Sequence, residues 1–285
     1  MNQDSQFTIG IVGLGLMGAS LALALRGFRD AALFGVDANE SVCEKATADG
    51  VVDEATTNAG SVMARADLLI FCVYARHIPN IIEANAAHLK PGCVVSDICG
   101  VKTSLYEQIM PLLPDKINYV GVHPMAGKER DGYENAEAGL YKNSGFLITP
   151  TEKSTETGIA LMKELAGYIG AARVQVTTPR EHDAVIAYTS GLMHIAAAGL
   201  CVNPHPGTRP IFTGGAFRDC TRVADINAEA WTELLMDNRE NTAQALDQYL
   251  DDLNAMRNAL NENASDQLRS LLAKAGENKR RLQQQ

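Results

Sequence analysis

Two histidines, a pair of arginines and one glycine-rich turn carry most of the chemistry open to this sequence. His123 ends the apolar run "INYVGVHP" and precedes the turn-rich "MAGKERDGY". An imidazole there could be a general base near neutral pH, a metal ligand, or merely the close of a strand. Ser190 and His194, four residues apart in "AVIAYTSGLMHIAAAGL", fall on one helix face. If buried, they need partners, which each other, the backbone or a ligand could supply. Arg218 and Arg222 sit one helical turn apart in "AFRDCTRVAD". Their forked guanidinium groups suit a substrate carboxylate, although Asp219 and Asp225 are ready neighbours for either.

The glycine turn is the most decisive of these features. "FTIGIVGLGLMGASLALALRGF" reads as a strand, a turn and a helix, with Gly13, Gly15 and Gly18 in the GxGxxG pattern. Such glycines allow a tight turn, a close backbone approach to a pyrophosphate, and packing of the new helix on the sheet. The helix N-terminus then offers unpaired N–H groups to phosphate. A second strand, "AALFGVD", ends at Asp37, about 20 residues beyond the turn, where a carboxylate would bind adenosine ribose hydroxyls. Asp37 would repel a 2′-phosphate, and no arginine follows it at once, so NAD is preferred over NADP. Leu16 and Met17 in the turn, and Val73 at the end of "ADLLIFCVY", join the candidates for lining the cofactor.

The elements that must position these residues follow from pattern. "ADLLIFCVY" is a nearly continuous apolar run, as expected of a parallel strand covered on both faces. "GCVVSD", "INYVGVHP", "SGFLITP" and "AARVQVTT" supply further strands. His123 thereby lies at the carboxyl end of a strand, where ligands of open α/β sheets bind. Strand character then stops. In "TTPREHD", Thr178 is an N-cap, Pro179 fits N1 and Glu181 closes a capping box, so a long helix starts there. Residues 184–200 are apolar almost all round, which predicts a central buried helix. Leu246, Leu250, Leu253, Met256 and Leu260 form a stripe of core or subunit interface, and "ENKRRLQQQ" reads as a frayed tail. The expected fold is thus an α/β Rossmann-type nucleotide-binding domain, residues 1–176, followed by an all-helical substrate and dimerisation domain, residues 177–285.

The 285 residues are 46% apolar, enough for two cores, and the net charge of -9 gives no general attraction for nucleic acid. Six cysteines without a CxxC pair read as reduced core residues, and no metal is expected. The start "MNQDSQF" has no basic region before its first apolar run, and no apolar stretch reaches about 18 residues. The expectation is a cytoplasmic protein with no membrane partner, acting on a small anionic molecule. The cleft between the domains should receive His123 from one side and Arg222 from the other, as in a dehydrogenase of a carboxylated substrate.

Four ordered segments, "GLGLMGAS", "HPMAGKERDG", "EHDAVIAYTSGLMH" and "GGAFRDCTRVA", resemble the prephenate and arogenate dehydrogenase family of tyrosine biosynthesis over roughly residues 7–260. The resemblance implies that His123 is catalytic and takes the substrate C4 hydroxyl proton while hydride leaves C4 for the nicotinamide. It implies that Arg222 binds a substrate carboxylate, that His194 is a pocket residue, and that a two-fold partner completes the cleft of a homodimer. Prephenate is the expected substrate and arogenate the alternative. The chain departs from the family in "DICGVK", where Cys99 and Gly100 stand at the usual glycine and serine; Lys102 remains and is taken as a cofactor contact. Lys128 follows "HPMAG" in place of a hydroxyl residue, either as another cation for the substrate or as a solvated rim lysine. A β-hydroxyacid dehydrogenase would share the glycine turn but needs a lysine in its second domain, and residues 165–273 contain none.

Overall fold

The computed structural model describes residues 6–128 and 130–282. One sheet contains β1 (Thr8–Val12), β2 (Ala32–Val36), β3 (Glu54–Thr56), β4 (Leu68–Phe71), β5 (Val94–Asp97), β6 (Asn118–Pro124), β7 (Gly145–Pro150) and β8 (Arg173–Val176). Their order is β3-β2-β1-β4-β5-β6-β7-β8. Neighbours are parallel except β6 and β7, which run antiparallel. Every residue of β4, "LLIF", is buried, as its unbroken apolar run requires.

Helices α1 (Leu16–Ala24), α2 (Glu40–Ala48), α3 (Ala59–Met63), α4 (Ile78–Asn85), α5 (Thr103–Ile109) and α6 (Glu156–Tyr168) cover the two faces. One core joins Leu21 and Leu25 near α1 to Leu161, Met162 and Leu165 of α6. The other joins Val62, Ile78, Ile82, Leu105 and Ile109 under α3, α4 and α5. Gly13 has φ +95°, and a Cβ there would meet the Cys72 carbonyl oxygen at 2.6 Å. A Cβ on Gly18 would lie 1.8 Å from the Gly13 carbonyl oxygen. The first glycine thus makes the turn and the third lets α1 pack onto it.

A local feature of β6 shapes the site. It pairs with β5 only through Asn118 and Tyr119, whereas Val120 to Pro124 pair with β7. Beyond Tyr119, β6 therefore parts from β5 and leaves a gap beneath His123. The loop after β5 fills that gap.

The helical unit comprises α7 (Pro179–Ile186), α8 (Leu192–Val202), α9 (Gly215–Thr221), α10 (Ala228–Asp237), α11 (Arg239–Asn261) and α12 (Ser265–Leu282). The Thr178 hydroxyl accepts from Glu181 N–H at 3.2 Å, with Pro179 in the first turn. The Glu181 carboxylate takes the Thr177 hydroxyl at 2.6 Å instead of closing the box on Thr178. A π-helical turn, Ala187–Gly191, joins α7 to α8 in one helical run. The fold is therefore a Rossmann-like α/β unit followed by a predominantly helical unit.

Three expectations for this unit need correction. The 184–200 helix is not buried within the chain: Tyr188 is 57% exposed and Leu200 54%, and Val185 and Met193 are open too. Helices α9 and α11 and the 3₁₀ turn at Arg222–Ala224 pack against it, and one apolar side stays bare. By length and composition the Pro179–Val202 run could also cross a membrane. The C-terminal segment is helical to Leu282, not frayed; residues 283–285 lie outside the described residues. Cys201 and Cys220 are exposed and not in the core.

Candidate active site

Two contiguous clefts open where the sheet meets the helical unit. The first, about 690 Å³, is lined by His123, Lys128, Ser190, His194, Arg222 and Trp231, among others. The second, about 430 Å³, is lined by Gly13, Gly15, Leu16, Met17, Asp37 and Val73, among others. Tyr74, Gly100, Lys128, Asp131 and Leu234 border both.

The second cleft has the features a dinucleotide needs. Gly15 caps α1 in an extended conformation, and a Cβ there would meet nothing within 4 Å. The cradle over the helix N-terminus is open at the point where backbone must approach phosphate. The Asp37 carboxylate accepts from Leu14 N–H at 2.9 Å and from Asn39 N–H at 2.9 Å. Two loops thus hold it rigidly at the cleft, with acceptor capacity left for hydroxyl groups. Gly18 does not line the cleft; it is buried in the α1 packing contact.

Lys102, expected at the cofactor, is elsewhere. Its side chain is fully buried and ion-paired with the equally buried Asp97. Its Nζ also donates to the Val122 carbonyl at 2.6 Å. The gap left by β6 drew this lysine inward: Asp97 ends β5, and Tyr119 completes the cluster by donating its hydroxyl to Asp97 at 2.6 Å.

In the first cleft, His123 is set by residues that sequence reasoning gave no role. His123 Nδ1 lies 2.9 Å from His182 Nε2, and His182 Nδ1 lies 2.8 Å from Asp183 Oδ1. His182 and Asp183 are each 1% exposed. The Asp183 carboxylate also accepts the backbone N–H groups of Lys102 at 2.9 Å and Thr103 at 2.8 Å, at the start of α5. Burial works to raise the Asp183 carboxyl, but the hydrogen bonds from His182, Thr103 and Lys102 together hold it below the usual carboxylate range. Burial, reinforced by His182 and the Lys102 charge, pushes His123 well below the ordinary histidine range, with Asp183 opposing. His123 is therefore neutral near pH 7, as a general base must be. The sequence signal for the extra pair is two polar residues, "HD", near the start of α7 and inside one of the four segments that carry the family resemblance.

The remaining candidates divide. His194 stacks on Trp231, ring centroids 3.5 Å apart, and its Nδ1 lies 2.9 Å from the Ser190 carbonyl oxygen. Ser190 belongs to the π turn, and both residues line the first cleft. Arg222 lines it as well, but Arg218 is exposed on α9 outside the lining. Helix α9 ends at Thr221 and Arg222 starts a 3₁₀ turn, so the two arginines lose the shared phase a continuous helix would give. Lys128 sits on the rim, 2.8 Å from Glu137.

The chain is similar to known proteins along most of its length. The family model for the prephenate dehydrogenase nucleotide-binding domain matches residues 21–175, and that for the prephenate dehydrogenase dimerization domain matches residues 178–274. A cyclohexadienyl dehydrogenase of Zymomonas mobilis is 31% identical, over 91% of this chain and 90% of its own length. A prephenate dehydrogenase of Bacillus subtilis is 27% identical, over 94% of this chain and 74% of its own. Among solved structures, prephenate dehydrogenase from A. aeolicus in complex with hydroxyphenyl propionate and NAD+ superimposes with TM-score 0.87 at 28% identity, covering 98% of this chain and 99% of that one. The Synechocystis arogenate dehydrogenase gives 0.84 at 30% identity, covering 97% and 100%.

The placement of Lys102 yields a direct test. Lys102→Met should destabilise the protein by about 3–5 kcal/mol, since it strands the Asp97 carboxylate in the interior. Urea denaturation measures this. A change in nucleotide KM with stability intact would instead return Lys102 to the cofactor cleft.

Proposed function

The chain belongs to the prephenate dehydrogenase family, and from that premise we propose that it is an NAD-dependent prephenate dehydrogenase. It would convert prephenate to 4-hydroxyphenylpyruvate and carbon dioxide, with residues 1–176 binding NAD and residues 177–285 binding substrate and forming a homodimer. The observation that carries this reading is a neutral, rigidly held His123 in a cleft that also contains Arg222 and adjoins the Gly15–Asp37 cradle.

Bound NAD supplies the acceptor for the hydride from substrate C4. His123 Nε2 takes the C4 hydroxyl proton as the C4–O bond gains carbonyl character. Cleavage of the bond to the ring carboxylate releases carbon dioxide, and its electron pair completes the aromatic ring. The proton can return from His123 to the phenolate oxygen, so His123 is regenerated. Arg222 binds a substrate carboxylate through a charge-assisted contact. His194, stiffened by its stack on Trp231, forms a wall of the cleft with Ser190, and Lys128 adds a rim cation. Gly13, Gly15, Leu16, Met17, Asp37 and Val73 would hold the dinucleotide.

One observation favours arogenate as a second substrate. Asp131 and Asp225 line the first cleft, and an ammonium-bearing side chain would find counter-charge there.

Three expectations follow from these roles. His123→Asn should lower kcat by roughly 10²–10⁴, the usual range for a general base, with little change in KM. Because His123 is held low, the wild-type rate should persist as pH falls through about 6.5, the ordinary histidine value, and fail only below it. Arg222→Ala should act mainly on KM, by roughly tenfold or more, since it removes a contact made in ground and transition states alike. Parallel kinetics of both variants with prephenate and arogenate would assign the roles; equal small effects on both constants would mean the site is elsewhere.

NAD should support turnover better than NADP because Asp37 would repel a 2′-phosphate. Steady-state rates at fixed prephenate decide this, and an NADP preference would sink it. A dimer is supported by the bare apolar side of the 184–200 helix and by Leu250, Leu253 and Leu260, all exposed on α11. Light scattering at micromolar concentration should give twice the chain mass of 30.6 kDa, and a single-chain mass would refute it.

A further inference from the structure

A neutral histidine can act as a base through only one of its two ring nitrogens, and which one is set by what the other is bonded to. We propose that His182, backed by Asp183, is the positioning residue that fixes His123 as the Nδ1–H tautomer and so leaves its Nε2 lone pair facing the substrate cleft. The proposal rests on the reading of His123 as the base.

The argument starts at Asp183. Its two oxygens accept the Lys102 and Thr103 backbone N–H groups at the N-terminus of α5, which anchors the carboxylate as an anion. An anionic carboxylate can only accept, so His182 Nδ1, 2.8 Å away, must donate. With that proton at Nδ1, His182 turns Nε2 toward His123 as the acceptor. That nitrogen lies 2.9 Å from His123 Nδ1, so the proton of this second bond belongs to His123. A neutral imidazole has one N–H, and His123 Nε2 is left as the acceptor. Both His182 and Asp183 are almost wholly excluded from solvent, so water does not compete for these bonds.

The opposite edge of the His123 ring makes this tie more important. A Cβ on Gly100 would sit 3.7 Å from Cε1 and 3.8 Å from Nε2. Gly100 offers no side chain that could bond this nitrogen. Orientation must then come from the Nδ1 side.

The charges around His123 are compatible with the assignment. Helix α7 contributes His182 and Asp183; the β5–α5 loop contributes Lys102, paired with Asp97; the cleft wall contributes Lys128, Asp131, His194, Arg222 and Asp225. With both imidazoles neutral, the buried Asp97, Lys102 and Asp183 sum to one negative charge. Proton uptake at His123 Nε2 neutralises that cluster, and the Nδ1–H bond to His182 survives the step. The opposite arrangement, a His182 imidazolium donating from both nitrogens, would put the only His123 proton on Nε2 and remove the base.

Nitrogen-15 NMR of histidine-labelled protein tests the tautomer without any substrate, with His123 assigned by its absence in His123→Asn. The expected spectrum has a protonated Nδ1 and a bare Nε2 on His123; a protonated Nε2 overturns the proposal. Kinetics on two variants test its consequence. His182→Leu, which cannot accept, should lower kcat roughly 10²-fold with KM within about threefold. His182→Gln, whose carboxamide oxygen can accept from His123, should recover kcat to within roughly tenfold of wild type. A folded His182→Leu protein with normal kcat, or a His182→Gln protein no better than His182→Leu, overturns it. If His182→Leu does not fold, the wild-type spectrum and His182→Gln decide. A wild-type protein that oxidises neither prephenate nor arogenate refutes the proposed function, while the spectrum still decides the tautomer.

Discussion

The Asp183 carboxylate is the tie on which the site's geometry depends. It lies in α7, where the helical unit begins, yet its oxygens bond the backbone that opens α5 in the Rossmann-like unit. The Asp183 carbonyl in turn accepts from Asn238 at 2.7 Å, at the junction of α10 and α11. One residue therefore fixes the first helix of the helical unit against both the sheet domain and the helices that carry Trp231. His182 is its neighbour in sequence, so a contact that sets the domain arrangement also sets the partner of His123. Buried hydrogen bonds to a charged group contribute about 1.5–3 kcal/mol each. The exposed ion pairs that also bridge the units, Arg76 to Glu229 and Glu233, belong to a class that typically contributes about 0–1 kcal/mol. The buried contacts outweigh them in fixing where the two halves meet.

The parting of β6 from β5 is the second constraint. A parallel strand that continued its pairing past Tyr119 would have set Val120 and Gly121 against Ser96 and Asp97, with no room for side chains between. By pairing its last residues with antiparallel β7, the strand opens a space that Lys102, Asp97 and Tyr119 fill. Their internal ion pair and hydrogen bonds satisfy groups that would otherwise be costly there. The Lys102 ammonium then lies under the strand that bears His123 and contributes to keeping its imidazole neutral. Structure and acid–base behaviour share a cause here: the cation that fills the gap also disfavours a second cation above it.

These constraints explain what could be read from the sequence. The glycine turn, Asp37 and the strands are local: each depends on spacing within a few residues or one β-α-β unit, and the pattern carries that information. His123 at a strand end was legible for the same reason. Its partner was not, because His182 lies on a separate helix and the contact depends on where α7 meets the sheet. Lys102 was misread since a lysine in a loop after a strand looks like an exposed cation until the splay of β6 is known. Arg218 and Arg222 looked equivalent because pattern cannot show that α9 ends at Thr221. The 184–200 helix failed differently. Its hydrophobicity was read correctly, but hydrophobicity reports that a surface must be covered, not whether this chain covers it.

The segment between β6 and β7 joins the two clefts mechanically. Tyr133 donates to Asp49 at 2.8 Å beside the end of α2, and Glu134 pairs with Lys45 of α2. Glu137 N–H donates to Ser20 of α1 at 2.9 Å, and Tyr141 donates to the Met17 carbonyl at 2.7 Å. The same segment carries Gly127, Lys128 and Asp131, which border both clefts, and Asp131 accepts from Asn227 of the helical unit at 3.0 Å. A shift of the glycine turn or α1 would thus move the rim of the first cleft along with the floor of the second. A molecule settling over the Gly15 cradle acts on the elements that hold this rim. The two clefts are in this sense one site: the backbone beside the Gly15 cradle and the segment that borders the first cleft are bonded to each other, and that segment follows the strand that carries His123.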